Sequence, residues 1–302
     1  MSAKLNVMRR LTAVPLSVLA LGSAAVGYAA GIERRSPRLR TLEVPVLPEG
    51  SSPLRILHFS DAHLTPGQTW KRDWIRSLAA YEPDLVINTG DSIAHVDAVP
   101  AFLEAVAPLL DKPGAFVFGS NDFAAPVFKN PAKYLFPDDG ERPKGVELPW
   151  RELREAMSDA GWLDLTNARG YLKADGRQIE LVGVGDPHIW EDNYDAVAGS
   201  ADPGVLLTIG VTHSPEPRVL ERMATDGCGL ILAGHTHGGQ LRVPLYGALV
   251  TNCGIDRARA RGLSRYDGTW LHVSAGLGTS PMAPVRFACP PEATLLTLVA
   301  VQ

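Results

Sequence analysis

The stretch LILAGHTHGGQ, residues 230–240, decides the fold prediction. Its first four residues are apolar and suit a buried β-strand, which ends abruptly at Gly234. His235 and His237 follow at once, flanked by Gly234 and by Gly238 and Gly239. Two histidines flanked by glycines at the end of a strand have little structural purpose. Because glycines have no side chains, the backbone there can approach a metal ion closely. The stretch therefore predicts a buried strand that ends in two metal-binding histidines.

Short apolar runs that end in glycine or a polar residue recur along the chain and suit buried strands. They occupy residues 54–59, 85–89, 115–118, 181–184 and 205–211, and further apolar runs at 271–273 and 293–299 make the end of the chain strand-rich. Apolar residues at helical spacing predict helices at residues 70–78 and 153–160. This alternation implies an α/β sheet covered by helices, in which ligands bind beyond the carboxyl ends of the strands.

Further candidate ligands follow three of these runs. Asp61 and His63 are two residues apart and would face the same way from an extended backbone. Asp91 offers a carboxylate that can bridge two ions, and His213 offers another imidazole. Each also has an ordinary structural interpretation, as a turn residue, a helix N-cap or a hydrogen-bonded histidine. Together they form a mixed nitrogen and oxygen set that suits Zn, Mn or Fe better than Ca or Mg.

In order and approximate spacing, these blocks resemble those of the calcineurin-like metallophosphoesterases, from about residue 54 to residue 300. The blocks are Asp61-Ala62-His63, Gly90-Asp91, Gly119-Ser120-Asn121-Asp122, Thr212-His213 and Gly234-His235-Thr236-His237. Residues 238–240, 276–280 and 284–287 are similar to the bacterial membrane- or wall-associated, phosphodiesterase-like subgroup. The resemblance implies an α/β fold with a layered β-sheet sandwich flanked by helices, and a dinuclear metal centre at the C-terminal ends of the strands.

The resemblance also implies roles for the residues. Asp61, His63 and His237 would hold one divalent ion, His213 and His235 the other, and Asp91 would bridge them. A hydroxide shared by the ions would then attack the phosphorus of a phosphate mono- or diester, with the diester favoured. A phosphoester is thus the expected substrate, and a lipid-linked one is a hypothesis.

The third block departs from the family pattern, which is Gly-Asn-His followed by an acid. Here Ser120 or Asn121 occupies the place of the metal-binding Asn, and we expect Asn121 because an amide oxygen is the better ligand. The histidine that assists the leaving group is absent. His95, His188 or Asp122 would have to donate a proton if the leaving group needs one. An alternative is therefore a metal-binding membrane protein that binds a phosphorylated ligand without efficient turnover, and a two-metal amide or ester hydrolase is a third candidate.

The N-terminal region predicts a membrane location. Residues 1–10 form a short basic segment. Residues 11–32 carry no charge, and about 20 such residues are enough to span a bilayer as a helix. They predict a transmembrane anchor or uncleaved signal-anchor, with a cleaved signal as the alternative. Residues 33–53 would be a linker, extended and able to form one edge strand within residues 41–53, and residues 54–302 would be the phosphoesterase domain. The predicted location is the cell membrane, through a single-pass anchor whose orientation the flanking charges do not decide.

The overall charge argues against one class of partner. The formal net charge of the 302 residues is -4, without the basic excess of a nucleic-acid-binding protein, and nothing in the sequence indicates a protein partner. Arg257, Arg259, Arg261 and Arg265 form a local cluster. It is either a solvated face or a site for a phosphate or anionic headgroup.

Overall fold

The computed structural model describes residues 20–127 and 145–301. The helices are α1 (20–31), α2 (Thr69–Ser77), α3 (Val99–Leu110), α4 (Ser120–Phe123), α5 (Trp150–Asp159) and α6 (Pro217–Thr225). The strands are β1 (Arg38–Leu47), β2 (Leu54–Phe59), β3 (Leu85–Asn88), β4 (Gly114–Phe116), β5 (Leu163–Asp164), β6 (Ala168–Ala174), β7 (Arg177–Gly183), β8 (Thr208–Thr212), β9 (Leu230–Ala233), β10 (Arg242–Val243), β11 (Gly247–Ala248), β12 (Gly262–Tyr266), β13 (Thr269–Val273) and β14 (Glu292–Ala300).

Two six-stranded sheets organise the described residues. Their strand orders are β1-β14-β2-β3-β4-β5 and β12-β13-β9-β8-β7-β6, and β10 and β11 form a separate hairpin. In the first sheet β2 to β5 run parallel, and in the second β7, β8, β9 and β13 do. Strand β14 is antiparallel to β2 and parallel to the edge strand β1.

Side-chain alternation in the strands produces a four-layer arrangement. In β2, Leu54 and Ile56 pack in a core with β8 and β9 of the second sheet, whereas Leu57 and Phe59 pack in a core with α2, α3 and α5. A third core lies between the outer face of the second sheet and α6. Successive strand residues point to opposite faces, so each sheet is buried on both sides. This confirms the predicted α/β fold, a β-sheet sandwich flanked by helices.

The sheets bring the carboxyl ends of their parallel strands together. The register pairs Phe59 at the end of β2 with Asn88 at the end of β3, and Thr212 of β8 with Ala233 of β9. A loop from beyond β13 then crosses between the sheets: the N–H of Leu277 donates to the carbonyl of Ser60 at 3.0 Å. All the loops that carry predicted ligands therefore start at one edge of the sandwich.

The N-terminal region differs from its prediction. Within the predicted 33–53 linker, residues 38–47 form β1, the edge strand of the first sheet, where the sequence allowed for one edge strand. Helix α1 ends against the domain, where the carbonyl of buried Ala29 accepts the N–H of Arg286 at 3.1 Å. In the described parts, 20–127 and 145–301, no helix combines the length and the apolar character needed to cross a membrane. This finding corrects the predicted cell-membrane location through a single-pass anchor at 11–32, of which residues 11–19, like the basic segment 1–10, lie outside the described residues.

Candidate metal centre

Four of the predicted ligands converge at the carboxyl edge of the sandwich. One ligand atom from each of Asp61, His63, Asp91 and His237 lies within 4.8 Å of the others. The Nε2 atoms of His63 and His237 are 3.1 Å apart, His63 Nε2 is 3.4 Å from Asp91 Oδ2, and His237 Nε2 is 3.5 Å from Asp61 Oδ1. Such a mixed set of imidazoles and carboxylates fits a divalent transition metal or zinc.

A second group of predicted ligands also lies close to Asp91. His213 Nε2 is 3.5 Å from Asp91 Oδ2, and His235 Nδ1 is 3.3 Å from His213 Nε2. The side-chain amide of Asn121 donates to Asp91 Oδ2 at 2.7 Å. The single oxygen Oδ2 of Asp91 thus lies within 3.5 Å of His63, His213 and Asn121.

The backbone at these residues is strained. Asp61, His63, Asp91, His235 and His237 all have positive φ, between 41° and 67°. This left-handed region is sparsely populated by residues other than glycine, and such strain clusters at functional sites. The premise that Asp61 and His63 face one way from an extended strand is therefore wrong. They come together because tight turns hold them, with the N–H groups of Asp61 and His63 donating to the carbonyls of Gly90 and Asp91 at 2.8 and 2.9 Å.

Glycines allow the loops to pack this closely. A Cβ added at Gly119 would lie 2.6 Å from His213 Nε2 and closer still to Asp91 Oδ1. A Cβ at Gly234 would lie 2.8 Å from Asp61 Oδ2, and one at Gly276 would lie 2.6 Å from the Cβ of Asp61. The glycines of the sequence blocks therefore leave space for the ligand side chains themselves, besides giving the backbone freedom.

Hydrogen bonds fix the orientation of three imidazoles. Nδ1 of His213 lies 2.7 Å from the carbonyl of Thr89, and Nδ1 of His237 lies 3.2 Å from the carbonyl of Gly278. Donation from these nitrogens leaves Nε2 of each ring as the available ligand atom. His235 is reversed: its Nε2 lies 3.1 Å from the carbonyl of Asn252, so Nδ1 faces the site.

Burial and mutual charge shift the pKa values of the cluster. Burial lowers the pKa of His63 to about 4, and burial together with His63 and Arg286 holds the pKa of His237 well below its usual value. Although burial opposes it, the charge of His213 holds the pKa of Asp91 well below its usual range. The nearby carboxylates, led by Asp91, correspondingly raise the pKa of His213 despite its burial. The pair His63 and His237 is therefore neutral and offers lone pairs beside an ionised Asp91, which suits a bound cation.

Asp122 lies beneath the loops. It is fully buried, and its two carboxylate oxygens accept N–H groups from Asp91 and Ser92 at 2.7 Å, from Gly119 at 3.0 Å and from Ile93 at 3.3 Å. Burial raises its pKa to about 7, whereas these four donors favour the ionised form. These contacts give Asp122 a positioning role instead of the predicted role as proton donor to a leaving group.

The other candidates for proton transfer lie in different places. The ring of His188 lies 4.4 Å, centroid to centroid, from that of His235, at the rim of the site. His95 is half exposed and pairs with Asp97 at 3.6 Å. Ser120 donates its backbone N–H to Asp186 at 3.0 Å, so the start of α4 is held by a carboxylate of the second sheet's loops.

Sequence reasoning missed the buried cations behind the cluster. Lys71 is 3 % exposed and donates to the carbonyl of Ala62, between two predicted ligands, at 2.6 Å. Fully buried Arg286 donates to the carbonyls of Ala275 and Gly278 at 2.7 and 2.6 Å. The burial of Lys71 could have been predicted from its position in the sequence. It lies four residues before Ile75 and so falls on the apolar face of α2. Arg286 was part of the similar stretch 284–287, but nothing in that pattern indicated burial.

Known proteins are similar to this chain over most of its length. YkuE of Bacillus subtilis (strain 168), described as an uncharacterized metallophosphoesterase, is 28% identical over 270 residues, which cover 85% of this chain and 83% of YkuE. The phosphodiesterase YaeI of Escherichia coli (strain K12) is 28% identical over 256 residues, covering 83% of this chain and 84% of YaeI. The UDP-2,3-diacylglucosamine pyrophosphatase LpxG of Chlamydia trachomatis is 24% identical over 286 residues, covering 80% of this chain and 83% of LpxG.

The matched family model covers most of the sandwich. Residues 54–239, from the start of β2 to the turn after His237, match the model of the calcineurin-like phosphoesterases. The match includes all the predicted metal ligands, which are Asp61, His63, Asp91, Asn121, His213, His235 and His237. Because it spans more than half of the 302 residues, the chain belongs to the calcineurin-like phosphoesterase family.

Proposed function

We propose that this chain is a dinuclear phosphoesterase that hydrolyses a phosphate diester, with Asp91 as the carboxylate shared by its two metal ions. The observation that carries the proposal is the position of Asp91 Oδ2, which lies 3.4 Å from His63 Nε2 and 3.5 Å from His213 Nε2. One oxygen facing two separate groups of ligands is the arrangement that a pair of ions needs.

The remaining ligands divide between the two sides of Asp91. Asp61, His63 and His237 would hold one ion, and His213, His235 and Asn121 the other. Asn121 directs its amide nitrogen at Asp91, and a half-turn of the amide places its oxygen there instead. When bound, two divalent ions supply an activated water for in-line attack and neutralise charge on the phosphoryl oxygens. The chain itself holds the ligands in strained turns, so little reorganisation is needed.

The third sequence block supports a diester substrate. Where the family pattern has a histidine to assist the leaving group, this chain has Ser120 and Asn121, and the backbone of Asn121 is already committed to Asp91 Oδ1 at 2.8 Å. A diester with a stabilised leaving group has less need of a proton donor than an alkyl monoester does. The name of the relative YaeI, a phosphodiesterase, points the same way.

A lipid-linked phosphoester is the substrate class that we propose. The relative LpxG is named for UDP-2,3-diacylglucosamine, whose name denotes two acyl groups. In this chain Trp190 is an exposed aromatic side chain: it is 77% exposed and comes two residues after His188, whose ring centroid lies 4.4 Å from that of His235. The guanidinium of Arg218 lies 4.3 Å from the Trp190 ring centroid and pairs with Asp192 at 2.7 Å, which holds the indole in place. An exposed, positioned indole suits an apolar part of a substrate.

Hydrolysis of matched substrates tests the proposal. The chain loaded with Mn or Zn should hydrolyse bis-p-nitrophenyl phosphate with a kcat/KM at least about tenfold above that for p-nitrophenyl phosphate, a difference of about 1.4 kcal/mol in the barrier. UDP-2,3-diacylglucosamine should be cleaved faster than UDP-glucosamine, and Trp190→Ala should reduce that preference. Metal binding without turnover of any of these substrates would instead support the alternative, a metal-binding protein that binds a phosphorylated ligand without efficient turnover. Equal rates with and without acyl groups would exclude the lipid-linked substrate.

A further inference from the structure

A second cluster of charge lies behind the metal centre. A cavity of about 550 Å³ opens between the β10–β11 hairpin and the turn Arg257–Arg259. Arg242, Arg257 and Arg261 line it, and none of its lining residues is a predicted metal ligand. The cavity is therefore separate from the cluster of predicted metal ligands.

The three guanidinium groups have little internal compensation. Arg242 donates to the carbonyl of Gly238 at 2.8 Å, Arg257 donates to the Tyr246 hydroxyl at 2.8 Å, and Arg261 lies 3.8 Å from Cys289 Sγ. Within residues 20–127 and 145–301 none of the three forms a salt bridge with a carboxylate. Each guanidinium has five N–H donors, and its contacts with the described residues given above use one, so most of its donors are available to a ligand.

Nearby acids do not neutralise the cluster. Asp256 also lines the cavity, but its Oδ1 accepts the N–H of Ala258 at 2.8 Å, and it offers one negative charge against three positive charges. Glu292 is paired with Arg40. Burial and the charge of Arg261 lower the pKa of Arg242, which is the direction expected where two guanidinium groups face each other.

The wall of the cavity combines charge with apolar surface. Val243 and Leu245 of the hairpin line it and are exposed, as are the neighbouring Leu241 and Leu249. The volume exceeds what a single inorganic oxyanion fills. Arginines recognise phosphate through paired N–H donors, and the apolar wall would accommodate an organic substituent on that phosphate.

We propose that Arg242, Arg257 and Arg261 form a binding site for the phosphate group of an organic phosphate with an apolar substituent. The site lies directly behind the loop of His237: Arg242 contacts the Gly238 carbonyl, and a Cβ at Gly238 would lie 3.3 Å from Cδ of Arg261. The inference does not depend on the reaction proposed above, because binding is its only requirement.

Arginine side-chain NMR of the zinc-loaded full chain tests this site directly. The Nε–H signals of the three arginines are assigned by their loss in R242Q, R257Q and R261Q, and the chain is titrated with inorganic phosphate and with hexyl phosphate. The three signals should shift with both probes, and hexyl phosphate should bind at least about tenfold more tightly, since burial of two methylenes suffices for that factor. R257Q should weaken binding, seen at the two remaining signals, by about tenfold or more.

Arg265→Gln is the matched control. The Cζ atom of Arg265 lies 3.7 Å from the ring centroid of Trp270, and Arg265 does not line the cavity. Its Nε–H signal should therefore not shift, and R265Q should bind both probes with the affinity of the wild type. Absence of shifts at all three cavity arginines would overturn the site. Equal affinity for the two probes would support an oxyanion site and overturn the apolar substituent. Shifts that persist unchanged in R257Q would also overturn the proposed site. Because the experiment measures binding and not hydrolysis, it gives an answer even if the chain has no phosphoesterase activity.

Discussion

Replacement of Gly119 by alanine should damage the metal centre while leaving the fold in place. The new Cβ would lie 2.5 Å from His213 Cε1 and 2.6 Å from its Nε2, and closer still to Asp91 Oδ1. An ordinary van der Waals contact begins near 3.4 Å, so the imidazole or the carboxylate must move by about 1 Å. Displacements of that size at a reacting centre cost about 100-fold in rate, which corresponds to about 2.7 kcal/mol in the barrier. Gly119 has φ -104° and ψ 171°, which alanine adopts without strain, so the effect is steric.

Two other glycines provide matched controls for Gly119→Ala. A Cβ at Gly67 would meet nothing within 4 Å, and Gly67→Ala should behave like the wild type. A Cβ at Gly114, at the other end of β4, would lie 2.7 Å from Cδ1 of Trp162, so Gly114→Ala should lose about 1–3 kcal/mol of stability and keep its activity per folded molecule. The assay is kcat/KM with bis-p-nitrophenyl phosphate together with elemental analysis of bound metal. A Gly119→Ala protein that keeps its full metal content and a rate within threefold of the wild type would show that the added Cβ does not displace His213 or Asp91.

Three further predictions concern buried ionisable groups. Asp122→Asn places an amide where four backbone N–H donors need acceptors. The free energy of unfolding, measured by urea denaturation, should therefore fall by about 1–3 kcal/mol. An unchanged free energy of unfolding would contradict the positioning role of Asp122. Burial raises the pKa of Asp61 to about 7, so protons compete with metal below that pH. The affinity for zinc, measured by chelator competition, should therefore rise between pH 6 and pH 8. This rise in affinity should be smaller in Asp61→Asn than in the wild type. Burial lowers the pKa of Lys71 to about 7 from 10.5, so between these values the unfolded chain binds more protons and stability rises with pH by up to about 1.4 kcal/mol per unit. Lys71→Met should remove that part of the slope, and equal slopes in wild type and variant between pH 7.5 and 9.5 would contradict it.

The strands that carry the site could be predicted from the sequence because their signal is local. The runs at 54–59 and 230–233 form strands with those bounds, since a fully buried strand is a continuous apolar segment ended by glycine or a polar residue. The sequence allowed for an edge strand before residue 54 but could not give its partner, because β14 lies more than 250 residues away along the chain. The apolar composition of residues 11–32 predicted an anchor, but composition carries no information about the contact of Ala29 with Arg286.

The convergence of Asp61, His63, Asp91 and His237 could be predicted, but the way the backbone holds them could not. Residue spacing indicated that Asp61 and His63 act together, and the structure brings their ligand atoms together through left-handed turns. Those turns depend on hydrogen bonds between loops of different strands, as in the donation of the His63 N–H to the carbonyl of Asp91. The same holds for Asp122, whose position next to Asn121 gave no sign of its four backbone partners.

The number of metal ions bound with and without Asp91 shows whether this carboxylate is shared by two ions. If one oxygen of Asp91 is shared by two ions, the wild-type chain reconstituted with Mn or Zn should contain about two ions per chain, because each side of Asp91 has its own ligands. Asp91→Asn should retain at most about one ion and should hydrolyse bis-p-nitrophenyl phosphate at least about 1,000-fold more slowly, as expected for loss of a group that both ions need. A wild-type chain that binds a single ion would contradict the dinuclear centre. An Asp91→Asn variant that binds two ions and hydrolyses the ester at the wild-type rate would contradict the shared role of Asp91.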